Sequence, residues 1–174
     1  VCAEDLGMVR QCVQPVLERL RILTLEIQTM PKKYGQLCAN LEDNPYRSVA
    51  TIFTHEMPTL REWWSEDPER AQLYYRHVLH HGGEAPADMP GWLCTEVVER
   101  HIASPSMLCL LSMQDWLSTN ETLRHPDPMA ERINIPANAH HYWRYRMHVP
   151  LEQLSSAREW CMQLRNMIAQ SGRL

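Results

Sequence analysis

The sequence predicts an α/β fold amounting to about half of an eightfold β/α barrel, and three observations predict it. Apolar, strand-like runs alternate with helical stretches, the pattern of a parallel sheet with helical crossovers. Two of those runs, Val1-Cys2-Ala3 and Ser48-Val49-Ala50-Thr51-Ile52-Phe53, lead straight into carboxylates, Glu4-Asp5 and His55-Glu56. About four strands are visible in 174 residues, whereas a complete barrel takes about 250 residues.

The elements follow in order. Residues 1–3 are the stub of a strand. Residues 8–20 carry Val9, Val13, Val16, Leu17 and Leu20 at helical spacing, with Pro15 as a local defect. Residues 23–28 alternate apolar and polar and read as a strand; 31–45 are polar loop and 49–53 the next strand. A helix is predicted to begin at Asp67-Pro68, where Asp caps and Pro suits the first turn, and to stop at Gly82-Gly83. Residues 85–92 form a Pro-rich loop, 95–103 a short helix and 107–113 a buried strand. The last helix begins at Pro150 and aligns Leu154, Ala157, Cys161, Leu164 and Ile168 on one stripe.

Composition narrows the function classes. The chain is 44% apolar, enough for a core, and its net charge of −4 gives a nucleic-acid partner no electrostatic support. No apolar run reaches the roughly 20 residues that span a bilayer, and no basic-then-apolar leader opens the chain. The first residue is Val1 within a strand-like run, so a segment of a longer protein is expected. Cys2, Cys12, Cys38, Cys94, Cys109 and Cys161 are scattered without a CxxC pair and read as buried, reduced thiols of a cytoplasmic protein.

Carboxylates following two different strands would sit on one barrel rim, where Asp and Glu serve as acid, base and charge stabiliser on a glycosidic bond. Taken singly the residues are ordinary. Glu4 beside Asp5 suits a helix start, and His55 suits a satisfied core histidine. His77, His80 and His81 have a zinc-compatible spacing, but no further ligand is adjacent. Trp63, Trp64, Trp92, Trp116, Trp143 and Tyr142 offer aromatic faces to sugars, while Trp63-Trp64 and Trp160 suit core packing better.

The motifs resemble the C-terminal part of the 4-α-glucanotransferases, the amylomaltase or disproportionating-enzyme family of glycoside hydrolases. Glu4-Asp5-Leu6-Gly7 resembles the family's acid/base motif, and 48–61, with Thr54-His55-Glu56-Met57-Pro58-Thr59-Leu60-Arg61, resembles its third-carboxylate motif. Gln114-Asp115-Trp116-Leu117 and the run from Arg132 to Asn138 resemble two later blocks. His141-Tyr142-Trp143-Arg144-Tyr145-Arg146-Met147-His148 is most similar to the bacterial and plant cytosolic branch of the disproportionating enzymes.

The resemblance implies the C-terminal half of a (β/α)8 TIM barrel over 1–174, with the N-terminal half absent, and no cofactor or metal. It implies transfer of a segment of an α-1,4-glucan, maltose or a maltodextrin, to a sugar acceptor by a retaining double displacement. Glu4 would be the general acid/base, and Glu56 would hold the place of the Asp that stabilises the transition state. His55, Arg61, Gln114, Asn134 and Asn138 would bind substrate. Two departures follow. The family's nucleophilic Asp lies upstream of Glu4 and nothing here matches it, so the isolated chain is expected to be inactive. Glu56 replaces Asp, and misplacing a carboxylate by about an ångström can cost ~100-fold in rate. Two other readings stay open: a non-catalytic maltooligosaccharide-binding remnant, and a structural piece that self-associates through exposed sheet edges.

Overall fold

A computed structural model describes residues 1–173. Its framework is a parallel sheet in the order β1-β2-β3, formed by β1 (Thr24–Ile27), β2 (Ser48–Thr51) and β3 (Leu108–Cys109). Thr24 pairs with Ser48, Ile27 with Thr51, and Val49 with Leu108. Cys2 adds a single parallel bridge to Leu23, just before β1. The 1–3 stub therefore lies where the alternation predicts. Because every pairing is parallel, the four segments deliver their following residues to the same edge of the sheet.

β2 is central and buried along its whole length, as its apolar run predicts. The buried strand expected over 107–113 is corrected. β3 is two residues long, and Leu108 and Leu110 are 44% and 60% exposed. No strand flanks its far side among the described residues, and Ser112 already caps the next helix.

The helices follow the predicted order with shifted bounds. α1 (Val13–Leu20) is shorter than 8–20. Pro15 is no defect, because it falls in the first turn, where its missing N–H has no intrahelical partner to lose. α2 (Leu60–Glu66) is a further element; Leu60, Trp63 and Trp64 stand at helical spacing, and the charged Arg61 and Glu62 are buried with them. α3 (Pro68–His77) starts as predicted, with Asp67 accepting the Arg70 N–H at 3.0 Å. It ends before Gly82, and His80 turns the chain at φ 61°.

α4 (Gly91–Ile102) begins earlier than residue 95, and α5 (Met113–Ser118) follows β3 directly. The single helix expected after Pro150 is two, α6 (Leu151–Ser156) and α7 (Arg158–Gln170), broken at Ala157 with ψ 60°.

The main core lies between the sheet and α2, α3 and α4, and includes Ile52, Phe53, Trp63, Trp64, Tyr74, Leu93 and Val97. Trp63 meets Tyr74 edge-on at 5.3 Å, the arrangement the ring quadrupoles favour. A smaller cluster joins Leu117, Leu123, Val149 and Trp160, and the Trp160 indole donates to Thr119 Oγ1 at 3.0 Å. Trp63, Trp64 and Trp160 are thus core residues. The cysteines depart from expectation: Cys94 is buried, but Cys2, Cys12 and Cys161 are exposed thiols.

Candidate active site

The common edge reached by the parallel strands carries three groups of residues. Glu4 and Asp5 follow the Cys2 bridge, Thr54, His55 and Glu56 follow β2, and Ser112, Gln114 and Asp115 follow β3. Strands lie about 4.8 Å apart, so Glu4 and Glu56, separated by β1, emerge from segments about 10 Å apart. Both are exposed.

Asp5 is the buried member of the Glu4-Asp5 pair. Its carboxylate accepts the Leu25 N–H at 2.9 Å, Gln14 Nε2 at 2.7 Å and Lys32 Nζ at 2.8 Å. Burial pushes its pKa up, but these hydrogen bonds outweigh that effect and hold the carboxyl below the ordinary Asp range. Lys32 also reaches Glu26 at 2.7 Å. The anchor fixes the backbone on which Glu4 stands and leaves Glu4 free at the edge.

Between the ends of β2 and β3 lies a cavity of about 140 Å³, lined by Thr54, His55, Thr59, Gln114, Asp115 and Ile133 among others. A larger cavity, about 490 Å³ beside Cys38, His77, His80 and Arg100, contains none of the expected site residues. α5 brings Gln114 and Asp115 to the smaller one through a capping box: Asp115 N–H donates to Ser112 Oγ at 3.1 Å, and Asp115 Oδ2 accepts the Ser112 N–H at 2.8 Å. Burial raises the Asp115 pKa to about 6. Asp115 is a wall of the cavity that sequence reasoning did not assign, although the Ser-x-x-Asp spacing was a visible capping signal.

The expected substrate-binding residues divide into two sets. His55 is exposed, with its ring 5.2 Å from that of Trp143. Asn138 is exposed, and its side chain accepts the His140 N–H. Gln114 is buried and donates to the Glu131 carbonyl at 3.1 Å. Arg61 is buried too; its Nη1 donates to the His125 carbonyl at 2.6 Å and faces Glu131 at 3.5 Å. The Asn134 carbonyl accepts Arg132 Nε at 3.0 Å, and Arg132 Nη1 donates to Glu62 at 3.0 Å.

Two adjacent residues of α2, Arg61 and Glu62, thereby pair with two adjacent residues downstream, Glu131 and Arg132, with signs reversed. Burial pushes both Glu62 and Glu131 above the usual carboxylate range, against the pull of their arginines. These pairs hold the 131–138 segment against the helix that follows the His55-Glu56 turn. Sequence reasoning missed Glu62, Glu131 and Arg132, because the partners lie about seventy residues apart in the chain.

Among the described residues no group of three or more His, Cys, Asp and Glu could hold a metal ion, and His81 is engaged with Glu96 at 2.7 Å. Nor is any helix there long and apolar enough to cross a membrane.

Comparison with known proteins agrees with the motifs. The family profile described as 4-alpha-glucanotransferase (glycoside hydrolase family 77) matches residues 1–152. The chain is 32% identical to the 4-alpha-glucanotransferase DPE2 of Oryza sativa subsp. japonica over 99% of its own length and 18% of that protein's. It is 27% identical to the 4-alpha-glucanotransferase of Chlamydia muridarum over 88% of its length and 29% of the relative's. The fold is similar to the amylomaltase from Streptococcus agalactiae solved in complex with acarbose, with a TM-score of 0.72 at 18% identity, covering 99% of this chain and 32% of that one. Corynebacterium glutamicum amylomaltase gives a TM-score of 0.64 at 16% identity, over 100% of this chain and 29% of that one. The chain thus spans less than a third of the length of these relatives, and within that span it belongs to the 4-alpha-glucanotransferase family.

Proposed function

We propose that these residues are the C-terminal part of the catalytic (β/α)8 barrel of a cytoplasmic 4-alpha-glucanotransferase. It moves a segment of an α-1,4-glucan, maltose or a maltodextrin, to a sugar acceptor with retention. Glu4 protonates the leaving oxygen and then takes the acceptor's proton. Glu56 stabilises charge in the transition state from the place of the family's Asp. His55, Gln114, Asn134 and Asn138 meet sugar hydroxyls, whereas Arg61, expected to do the same, is turned inward to the His125 carbonyl and Glu131 and supports that wall. The observation that supports the reading most is that both carboxylates follow parallel segments at the same end of the sheet.

The nucleophilic Asp belongs to the part of the parent protein that precedes Glu4, so the 174 residues alone turn over nothing. Isolated, they self-associate along the open edge of β3, where Leu108 and Leu110 are exposed. The test is chromatography of maltotriose incubated with the parent protein and, separately, with this chain. Products both shorter and longer than maltotriose are expected from the parent and none from the chain. Binding without turnover by the parent would instead favour the non-catalytic sugar-binding reading, which departs from this one at Glu56 in place of Asp.

A further inference from the structure

Trp143 is the one aromatic side chain ring-paired with His55, the residue next to Glu56, among the described residues. Burial alternates along its segment. His141, Tyr145 and Met147 are partly buried, whereas Tyr142, Arg144 and Arg146 are exposed. Trp143 has the inward parity and is nevertheless 61% exposed. The described residues do not cover its indole. Its indole and the His55 ring border the same space beside the candidate catalytic turn, and an indole face is a large, rigid apolar surface.

The segment is also held. His141 Nε2 lies 3.0 Å from the Ile133 carbonyl, and Ile133 lines the cavity between β2 and β3. Met147 packs against the Leu117–Trp160 cluster. Arg132, at the segment's start, is pinned by Glu62. Trp143 is therefore presented from a segment anchored on both sides, which lowers the entropy lost when a ligand settles on it.

We propose that Trp143 is a substrate-binding platform. One glucose unit of the α-1,4-glucan stacks its C–H face on the indole, next to the unit that His55 hydrogen-bonds. A pyranose ring offers an apolar C–H face and a rim of hydroxyls; the indole meets the first, and His55 stands beside it for the second. This deepens the glucanotransferase reading and rests on it.

The test compares Trp143→Ala and Trp143→Phe in the full-length parent protein, with maltotriose as substrate. Trp143→Ala is expected to raise KM about tenfold, the equivalent of ~1.4 kcal/mol, with kcat changed less than about threefold. Trp143→Phe keeps an aromatic face and is expected to stay within about threefold of wild type. The indole fluorescence change on adding maltotriose, read in a Glu4→Gln background where turnover is slowed, is expected to be lost in Trp143→Phe. An unchanged KM in a folded Trp143→Ala protein overturns the proposal, as does a Trp143→Phe variant as impaired as Trp143→Ala. A wild-type parent that forms no transfer products would instead sink the glucanotransferase reading. The fluorescence titration then still decides whether Trp143 binds the sugar.

Discussion

Arg61 and Glu131 face one another at 3.5 Å inside the fold, and the residue after each repeats the pairing with opposite sign, Glu62 with Arg132 at 3.0 Å. Removing one partner of a buried pair leaves an uncompensated charge, which costs roughly 3–5 kcal/mol. Arg61→Ala is therefore expected to lose stability on that scale by urea unfolding. The double replacement Arg61→Leu with Glu131→Leu is expected to recover most of the loss. Equal, additive losses would show that the two side chains act independently.

Asp5 supplies a second anchor. Its carboxylate holds Leu25 N–H, Gln14 and Lys32, and leaving such donors unmet costs about 1–3 kcal/mol. Because its folded pKa is below the ordinary value, this stability is present above the unfolded value of about 4 and is lost as pH falls through the folded one. Asp5→Asn should therefore be less stable than wild type at neutral pH, with the gap closing under acid. A gap that stays constant from neutral pH to pH 2 would contradict the assignment.

Asp115 carries the opposite sign. Burial raises its folded pKa to about 6, so the folded state holds a proton that the unfolded chain has already released. Its contribution is greatest below about pH 4 and is lost as pH rises to about 6. Asp115→Asn should abolish that decline in chemical-denaturation midpoints over this window. A variant with the wild-type slope would exclude Asp115 as its source.

Gly91 begins α4 at a close approach to the chain beyond α5. An added Cβ would stand 3.0 Å from the Thr119 carbonyl oxygen and 3.2 Å from Glu121 Cγ. Backbone at that distance has to move, and overpacking of this kind costs about 1–3 kcal/mol. Gly91→Ala is expected to lower thermal stability accordingly, despite alanine's better helix propensity. A stabilised variant would show that the contact yields freely.

Much of the frame was legible because its signals are local. The apolar run into β2, the Asp67-Pro68 start of α3 and the alternation that yields parallel pairing all lie within a few residues. α2 was hard to read because its apolar triplet, Leu60, Trp63 and Trp64, spans little more than one turn of helical spacing. The break at Ala157 was hidden because neither Gly nor Pro marks it. Within the candidate site, Glu4, His55 and Glu56 stand out by their motifs alone. The inward commitments of Arg61 and Gln114 do not, since their partners Glu131 and His125 are set by tertiary contacts across long stretches of chain. Asp5 likewise became a structural anchor only once Leu25 was seen beside it.

The most direct measurement concerns the division of labour between Glu4 and Glu56. In the parent protein, Glu4→Gln and Glu56→Gln would be assayed on maltotriose and on α-maltosyl fluoride, whose leaving group departs without being protonated. Glu4→Gln is expected to lose about 10²–10⁴-fold on maltotriose while keeping a fast first turnover of fluoride release, after which the glycosyl-enzyme waits for the missing base. Glu56→Gln should lose activity on both substrates, since charge stabilisation is needed whichever group leaves. Full transfer activity of Glu4→Gln on maltotriose, or a first-turnover fluoride release slowed as much as maltotriose cleavage, would contradict the assignment of Glu4 as the acid.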